Sequence, residues 1–345
     1  MKVCINQLRE RTEKLFVTAG VSESDSKIFT DVILQTEMRG VFTHGFFRVP
    51  RYIKCIRSGG IKAKSELKLD VDTPTMARAD GEGGLGIILS YKAMKLAMEK
   101  AKACGIGLVS VSGSHHFGAA GYYTSMCADE GMLGMSMSNG DALVAVTGSR
   151  QRSIGNNPFS YAAPAGKYGK VVYDIAMSPT SDVKVLQLAK EGKPCPAGWV
   201  IDKNGNPSTD PNDYINGGVL IPFGGYKGYG LAMMVEVMAG VLSGSALTMD
   251  VHAWNSNPEK CGNTGHLFIA VDIEKLMDKN TFNERMETML DGIKSAPLAD
   301  GATKIYYPGE IEKDKMAACL EAGVVDIDDD TMAAFEACEV ELGLR

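Results

Sequence analysis

Histidine and arginine stand close together in Thr43-His44-Gly45-Phe46-Phe47-Arg48. These two side-chain types supply what reversible reduction of an acidic carbonyl compound requires. An oxygen that gains or loses charge needs a proton donor or acceptor, and imidazole titrates nearest neutrality. A carboxylate needs a planar, two-pronged cation, which arginine provides better than lysine. If the segment is helical, residues four apart share a face, and His44 and Arg48 point into one pocket. The alternative is a surface arginine beside a capped histidine.

The chain has only five histidines, at 44, 115, 116, 252 and 266. The second cluster, Ser114-His115-His116-Phe117-Gly118-Ala119-Ala120-Gly121-Tyr122-Tyr123, follows a strand-like run and opens a helix-like one. Neighbouring side chains of an extended segment point opposite ways, so at most one of His115 and His116 faces a given pocket. No third ligand stands at a suitable spacing, so the pair is not read as a metal site. On these residues alone, a structural loop role and an acid/base role are both open. Asn156-Asn157-Pro158 is a turn that can bind a ligand or simply turn the chain. Asp174 at the end of a strand-like run is a weak signal by itself, since a lone aspartate there is usually a helix cap.

Two glycine-rich segments imitate nucleotide motifs. Gly81-Glu82-Gly83-Gly84-Leu85-Gly86 satisfies GxGxxG between a strand-like and a helix-like run. The next strand-like run, however, ends in Ser112-Gly113-Ser114, with no acid to hold a ribose diol. We read it as a packing turn rather than a Rossmann site. Gly224-Gly225-Tyr226-Lys227-Gly228-Tyr229-Gly230 places a lysine among glycines but lacks the Lys-Ser/Thr of a P-loop. Its free backbone N–H groups and single cation still suit a phosphate.

These groups must be positioned by a chain of 345 residues, 45% hydrophobic and 23% charged, which is an ordinary globular balance with room for a sizeable core. The formal net charge of −6 argues against nucleic-acid binding, which needs a basic face. The eight cysteines form no CxxC pair, the first residues carry no signal-peptide core, and no apolar run approaches the ~20 residues that span a bilayer. The expectation is a soluble cytoplasmic protein with reduced thiols and no membrane partner.

Residues 1–75 read as mostly helical, with Ser22 as a helix start and Pro50 and Gly59-Gly60 as breaks. Strands are expected at 75–79, 107–111, 134–138, 159–163, 171–175, 218–221 and 267–271. Helices are expected at 87–103, 119–129, 228–242, 281–293, 310–321 and 329–341. Interleaved strands and helices between helical ends predict an α/β core, 76–309, plus a helical domain built from both termini, 1–75 with 310–345.

Taken together, several segments resemble the malate/L-lactate dehydrogenase family, which also includes ureidoglycolate, sulfolactate and 2,3-diketogulonate oxidoreductases. The matching pieces, in order, are Arg39-Gly40 with Thr43-His44-Gly45 and Arg48; Ser114 to Tyr123; Gly155-Asn156-Asn157-Pro158-Phe159; Asp174-Ile175-Ala176-Met177-Ser178; Phe223 to Leu231; and Tyr307-Pro308-Gly309. The resemblance implies an α+β fold: a largely antiparallel mixed sheet with flanking helices, a non-Rossmann nicotinamide site, and a homodimer. It implies a hydride exchanged between NAD, or NADP, and a small 2-hydroxy/2-oxo acid. It marks His116 and His44 as the catalytic histidines, and Arg48 as the carboxylate clamp with Thr43 and Asn157 as further substrate contacts. It lays the cofactor along Ser138, Asn139, Asp174, Ile175, Ala176, Lys184, Tyr226, Lys227, Pro308, Gly309 and Glu310. No metal is implied. The family's Ala-x-Gly-Lys stretch is Ser181-Asp182-Val183-Lys184 here, and Asp182 would repel a 2′-phosphate, which tilts the coenzyme towards NAD. The competing readings are a reductase of cyclic imino acids or diketogulonate on the same scaffold, and a non-catalytic nucleotide-binding protein.

Overall fold

The computed structural model describes residues 1–345. The chain opens with β1 (Lys2–Cys4), α1 (Ile5–Thr18), α2 (Glu23–Met38), two successive 3-10 turns (Phe42–His44 and Phe46–Arg48) and α3 (Val49–Arg57). It continues through β2 (Lys68–Asp72), β3 (Met76–Asp80), α4 (Gly86–Cys104), β4 (Ile106–Ser114), α5 (Ala120–Asp129) and β5 (Met132–Ser138). The middle holds β6 (Ala142–Ala145), β7 (Arg152–Gly155), β8 (Phe159–Pro164), β9 (Lys170–Ile175), α6 (Asp182–Glu191), β10 (Val200–Ile201), β11 (Pro207–Ser208), α7 (Pro211–Ile215) and β12 (Val219–Leu220). The last part runs α8 (Tyr226–Val235), β13 (Thr264–Asp272), α9 (Lys279–Lys294), α10 (Glu310–Ala322), β14 (Val324–Asp326) and α11 (Asp329–Glu341).

The principal sheet has seven strands in the order β2-β3-β4-β13-β5-β8-β9. Only β3 and β4 run parallel; every other neighbouring pair is antiparallel. This is the largely antiparallel mixed sheet that the resemblance implies. The central strand β13 is buried along most of its length, which explains its unbroken apolar run, Leu267 to Val271. Of a second sheet of five short strands, β11-β10-β12-β6-β7, only β12 was expected, as the strand at 218–221; β10 and β11 have only two residues each.

Layering follows from which face each element buries. One core joins Leu8, Phe16 and Phe29 of the N-terminal helices and Phe335 of α11 to Ile87 on α4, Val109 on β4 and Phe268 on β13. On the opposite face Met137 and Leu267 pack with Val144 and Ile154 of the small sheet and Ala232 and Val235 of α8. The chain ends meet directly: Lys2 pairs with Asp326 across β1 and β14, and Arg11 binds Glu339 at 2.7 Å.

Several local readings are corrected. The first 75 residues also contain β1 and β2. Pro50 does not break a helix but sits in the first turn of α3, where its missing N–H costs nothing. The helix expected over 228–242 begins at Tyr226 and passes into a π-helical turn, Glu236–Val241. Ser22 does cap α2, its hydroxyl accepting from the Asp25 N–H at 3.1 Å.

The GxGxxG turn does join a strand to a helix that leads into a parallel strand. Its donors, however, are consumed inside the protein. Gly81 N donates to Ser112 O (2.8 Å), Gly83 N to Gly113 O (2.7 Å) and Leu85 N to the Ser65 hydroxyl (2.8 Å). A Cβ on Gly86 would lie 2.1 Å from His115 O and 2.5 Å from His116 O. The glycines therefore let the histidine-bearing loop lie directly on the start of α4, and a phosphate has no place there. Gly86→Ala is expected to destabilise the protein by ~1–3 kcal/mol, the usual cost of overpacking. An unchanged urea midpoint would show that this close approach carries no stability.

Candidate active site

The loop between α2 and α3 is held by a buried carboxylate. Glu37 accepts the Phe46 N–H at 2.7 Å, and a Cβ on Gly45 would fall 2.2 Å from the same Glu37 oxygen. Only glycine lets the chain pass so close. The segment is not an α-helix, as the four-residue spacing suggested, but two 3-10 turns with Gly45 between them. His44 and Arg48 still reach one place, because Arg48 Nε donates to Thr43 O (2.8 Å) and the Thr43 hydroxyl meets His44 Nδ1 (3.0 Å).

Arg48 is 8% exposed, and its terminal Nη groups make no hydrogen bond or ion pair with the protein. Its guanidinium lies 5.3 Å from the Phe47 ring and 5.5 Å from the Trp254 ring. Burial pulls the Arg48 pKa down, opposed by the charges of Asp182 and Asp141, yet guanidinium remains protonated at any ordinary pH. A cation stripped of water, with its fork free, is set up to receive an anion.

The second wall is the loop after β4. His115 and His116 lie past the end of β4 and both rings border Trp254, at 5.6 Å and 4.5 Å, so they are not sent to separate faces as expected. His115 is buried, and its Nδ1 accepts the His116 N–H at 3.0 Å. His116 turns towards His44, the rings 5.5 Å apart and inclined by 18°, and stacks on Trp254 at 4.5 Å and 12°. Tyr52 of α3 brings its hydroxyl to 2.5 Å from His116 Nδ1. Burial, reinforced by Arg48, lowers the pKa of His44 to about 3 and that of His116 well below its usual value. Both rings are therefore neutral at rest. The site can bind an anion, take up a proton at an imidazole and stack a planar group, all away from bulk water.

Tyr52 and Trp254 belong to this group and were not singled out from sequence. Tyr52 had a usable signal, since it follows Arg48 by four residues along a helix that starts at Val49. Trp254 had none; it lies in an irregular stretch between α8 and β13. His266 is internal, bonded to Ser138 Oγ (2.9 Å) and Ser114 Oγ (2.7 Å).

Among the other expected site residues, Asn157 is not brought to the histidine–arginine group. It is fully buried, and its amide donates to Ala232 O (2.9 Å) and Glu236 Oε2 (2.8 Å). Asn139 is likewise committed, to Glu236, Ala246 O and the Gly265 N–H. Asp174, Ile175 and Ala176 lie at the end of β9, the outer strand of the large sheet. The Asp174 carboxylate accepts the Gly121 N–H (2.7 Å) and so does cap a helix, α5.

Two other segments converge on β9. Phe223 N donates to Met177 O (3.1 Å), which puts Gly224-Gly225, Tyr226 and Lys227 beside the strand's end. Val172 N donates to Pro308 O (3.0 Å), and Gly309 lies directly on Val172. Glu310 then opens α10 with its carboxylate held by Lys294 (2.8 Å) and Lys304 (3.0 Å). Lys184 is exposed in the first turn of α6. Gly224 and Gly225 both have positive φ, with open space where a side chain would stand. Together with exposed Tyr226 (69%) and Lys227 they make an uncovered helix N-terminus.

Residues 3–336 match the malate/L-lactate dehydrogenase family model. The malate dehydrogenase of Pyrococcus horikoshii is 37% identical over 92% of this chain and 91% of that protein. The ureidoglycolate dehydrogenase (NAD(+)) of Escherichia coli strain K12 is 28% identical over 95% and 93% of the respective chains. Among solved structures, the sulfolactate dehydrogenase of Methanocaldococcus jannaschii superposes with a TM-score of 0.93 at 33% identity, covering 99% of this chain and 98% of that one.

The Glu37 anchor generates a pH dependence. Burial raises its carboxyl to about 7. The folded state therefore holds that proton more tightly than the unfolded chain, whose glutamates titrate near ~4.3. The stabilisation is complete below the unfolded value and is lost as pH rises through about 7. Glu37→Gln retains an acceptor for Phe46 and removes the titration. Chemical denaturation between pH 4.5 and 8 should show a smaller decline in the variant; parallel profiles would exclude Glu37 as the titrating group.

Proposed function

The chain belongs to the malate/L-lactate dehydrogenase family, and from that premise we propose how its residues carry out the family's chemistry. It is an oxidoreductase of small 2-hydroxy/2-oxo acids. In our reading, Arg48 binds the substrate carboxylate through its two free Nη groups, and His116 exchanges the proton of the neighbouring hydroxyl. The observation that carries this reading is the buried, unpaired fork of Arg48 beside two neutral imidazoles. Thr43 fixes Arg48 through its carbonyl. His44, tied to Thr43, is the alternative proton donor and keeps its neighbour's imidazolium costly. An imidazolium that is costly to form is a strong acid once formed, which suits protonation of an alkoxide. Orientation of the acid by a rigid fork also selects which face of its α-carbon reacts.

Dehydrogenase relatives imply a nicotinamide cofactor, and the uncovered N-terminus of α8, with open space at Gly224 and Gly225 and the exposed Lys227, fits its pyrophosphate. When bound, that cofactor supplies the hydride exchange. We assign its binding to Asp174–Ala176, Tyr226-Lys227 and Pro308–Glu310, which flank β9, with Lys184 and the Ser138-Asn139 backbone nearby. We favour NAD, because Asp182, at the start of α6 beyond the end of β9, would oppose a 2′-phosphate. A second copy of the chain is the partner we assign to the exposed apolar residues Leu231, Met233, Val237, Val241 and Leu242 around the π-helical turn. The unpaired cysteines favour a reducing compartment, and no helix is long and apolar enough to cross a membrane.

The decisive assay follows NADH and NADPH absorbance with oxaloacetate, sulfopyruvate, oxalurate and pyruvate, and with piperideine-2-carboxylate for the imino-acid alternative. Steady consumption with a 2-oxo acid is expected; consumption with the cyclic imine alone would replace this reading. His116→Ala should lower kcat ~10²–10⁴-fold, the usual contribution of general acid–base catalysis. Arg48→Lys should raise KM ~10-fold or more, because a charge-assisted hydrogen bond is worth ~1.5–3 kcal/mol. An unchanged KM would remove Arg48 from the substrate.

A further inference from the structure

The Tyr52 hydroxyl stands between two groups of one residue. It lies 2.5 Å from His116 Nδ1 and 3.1 Å from the His116 carbonyl oxygen. Tyr52 is fully buried, and burial holds its phenol well above its usual pKa, so it keeps its single proton. That proton can serve only one of the two neighbours. The carbonyl oxygen can only accept, whereas Nδ1 can either donate or accept.

If the hydroxyl donates to the carbonyl, its oxygen is left to accept, and Nδ1 must carry a hydrogen. Both contacts are then satisfied and the Nε2 lone pair is free. If the hydroxyl donates to Nδ1 instead, the carbonyl loses its partner and the ring hydrogen moves to Nε2. The first arrangement makes two hydrogen bonds and the second makes one. Buried polar groups are strongly biased towards the fuller set.

From this geometry we infer that Tyr52 is a positioning residue: it holds neutral His116 in the Nδ1–H tautomer and so makes Nε2 the atom that exchanges the substrate proton. This rests on the acid/base reading of His116 given above. In the oxidising direction the substrate O–H bond breaks and an N–H bond forms at Nε2. The ring becomes imidazolium while the Nδ1–H···O(Tyr52) and Tyr52 O–H···O=C bonds stay as they were. No hydroxyl needs to turn during the step, so the two protonation states share one heavy-atom arrangement. In the reducing direction the same imidazolium gives up its Nε2 proton and returns to the same neutral form. Trp254, stacked on the ring at 4.5 Å, limits its tilt and keeps Nε2 aimed. His44 has no comparable lock, since its Nδ1 meets only the Thr43 hydroxyl.

Nitrogen-15 NMR of histidine-labelled protein without substrate or cofactor reads the tautomer directly, and five histidines keep the spectrum assignable. His116 should show a protonated Nδ1 and an unprotonated Nε2; the opposite pattern in the wild-type protein overturns the inference without any variant. Tyr52→Phe removes the acceptor, so the pattern should shift towards Nε2–H. Its kcat should fall ~10–100-fold, a share of the general acid–base contribution, while KM for the 2-oxo acid changes far less. Losing an acceptor that favours imidazolium should also move the acid limb of the kcat/KM profile to lower pH. An unchanged tautomer, kcat and acid limb in Tyr52→Phe overturns the role of Tyr52. His116→Ala separates the two claims: if it stays active, the acid/base reading of His116 falls and Tyr52 has no proton transfer to position. If it is inactive while Tyr52→Phe behaves as wild type, only the Tyr52 assignment falls.

Discussion

A guanidinium withdrawn from water without a carboxylate partner is among the costlier things a fold can hold, several kcal/mol even after relaxation. Arg48 is held this way. Much of the neighbouring structure is explained by that burden. The Thr43 carbonyl takes one N–H, the rings of Phe47 and Trp254 offer their faces, and Asp141 and Asp182 act at longer range. None of these contacts uses up the Nη fork. The fold thus tolerates an unmet electrostatic demand at one point, and in the function we propose a substrate carboxylate meets it.

The same desolvation sets the state of the histidines. Imidazoles beside a buried cation are kept neutral, which is the form that can accept a proton from a hydroxyl. Binding a carboxylate at Arg48 would partly cancel the positive field at His116. In the function we propose, charge on the substrate and the basicity of His116 are therefore linked through the field of Arg48. The rigidity around them comes from close backbone approaches: Gly45 on Glu37, and Gly86 under His115 and His116. Both glycines serve packing that brings reactive groups together, rather than any direct contact with a ligand.

The glycine motif shows how one pattern can arise from two physical causes. A strand, a tight turn and a helix leading to a parallel strand give GxGxxG its usual meaning through free N–H groups at the turn. Here Ser112 and Gly113 take the Gly81 and Gly83 N–H groups, Asp80 and Ser65 take those of Glu82 and Leu85, and the histidine loop lies over Gly86. The uncovered helix start is at Gly224-Gly225, next to the outer strand β9, where no dinucleotide fingerprint is present in the sequence. Exposure of the donors, rather than the spacing of glycines, decides which turn is available to a phosphate.

Elements with strong short-range signals were legible in the chain itself. The apolar periodicity of α4, α5, α9, α10 and α11, the Ser22 cap and the runs that became β4, β5, β8, β9 and β13 depend on neighbours a few residues away. The pairing of His44 with Arg48 was expected from a helical four-residue spacing, and it is reached instead through two 3-10 turns and the Thr43 bonds. The two-residue strands β10 and β11 were hidden, being too short to show a period. So was the partnership of Tyr52, His116 and Trp254, whose residues come from α3, the loop after β4 and the stretch before β13. Their meeting depends on how the large sheet packs between two cores, as does the turning of Asn157 inward to Glu236. Local sequence specifies which groups are present and which surfaces must be buried; only the packed tertiary structure decides which of those groups share a desolvated space, because desolvation is a property of everything that surrounds them.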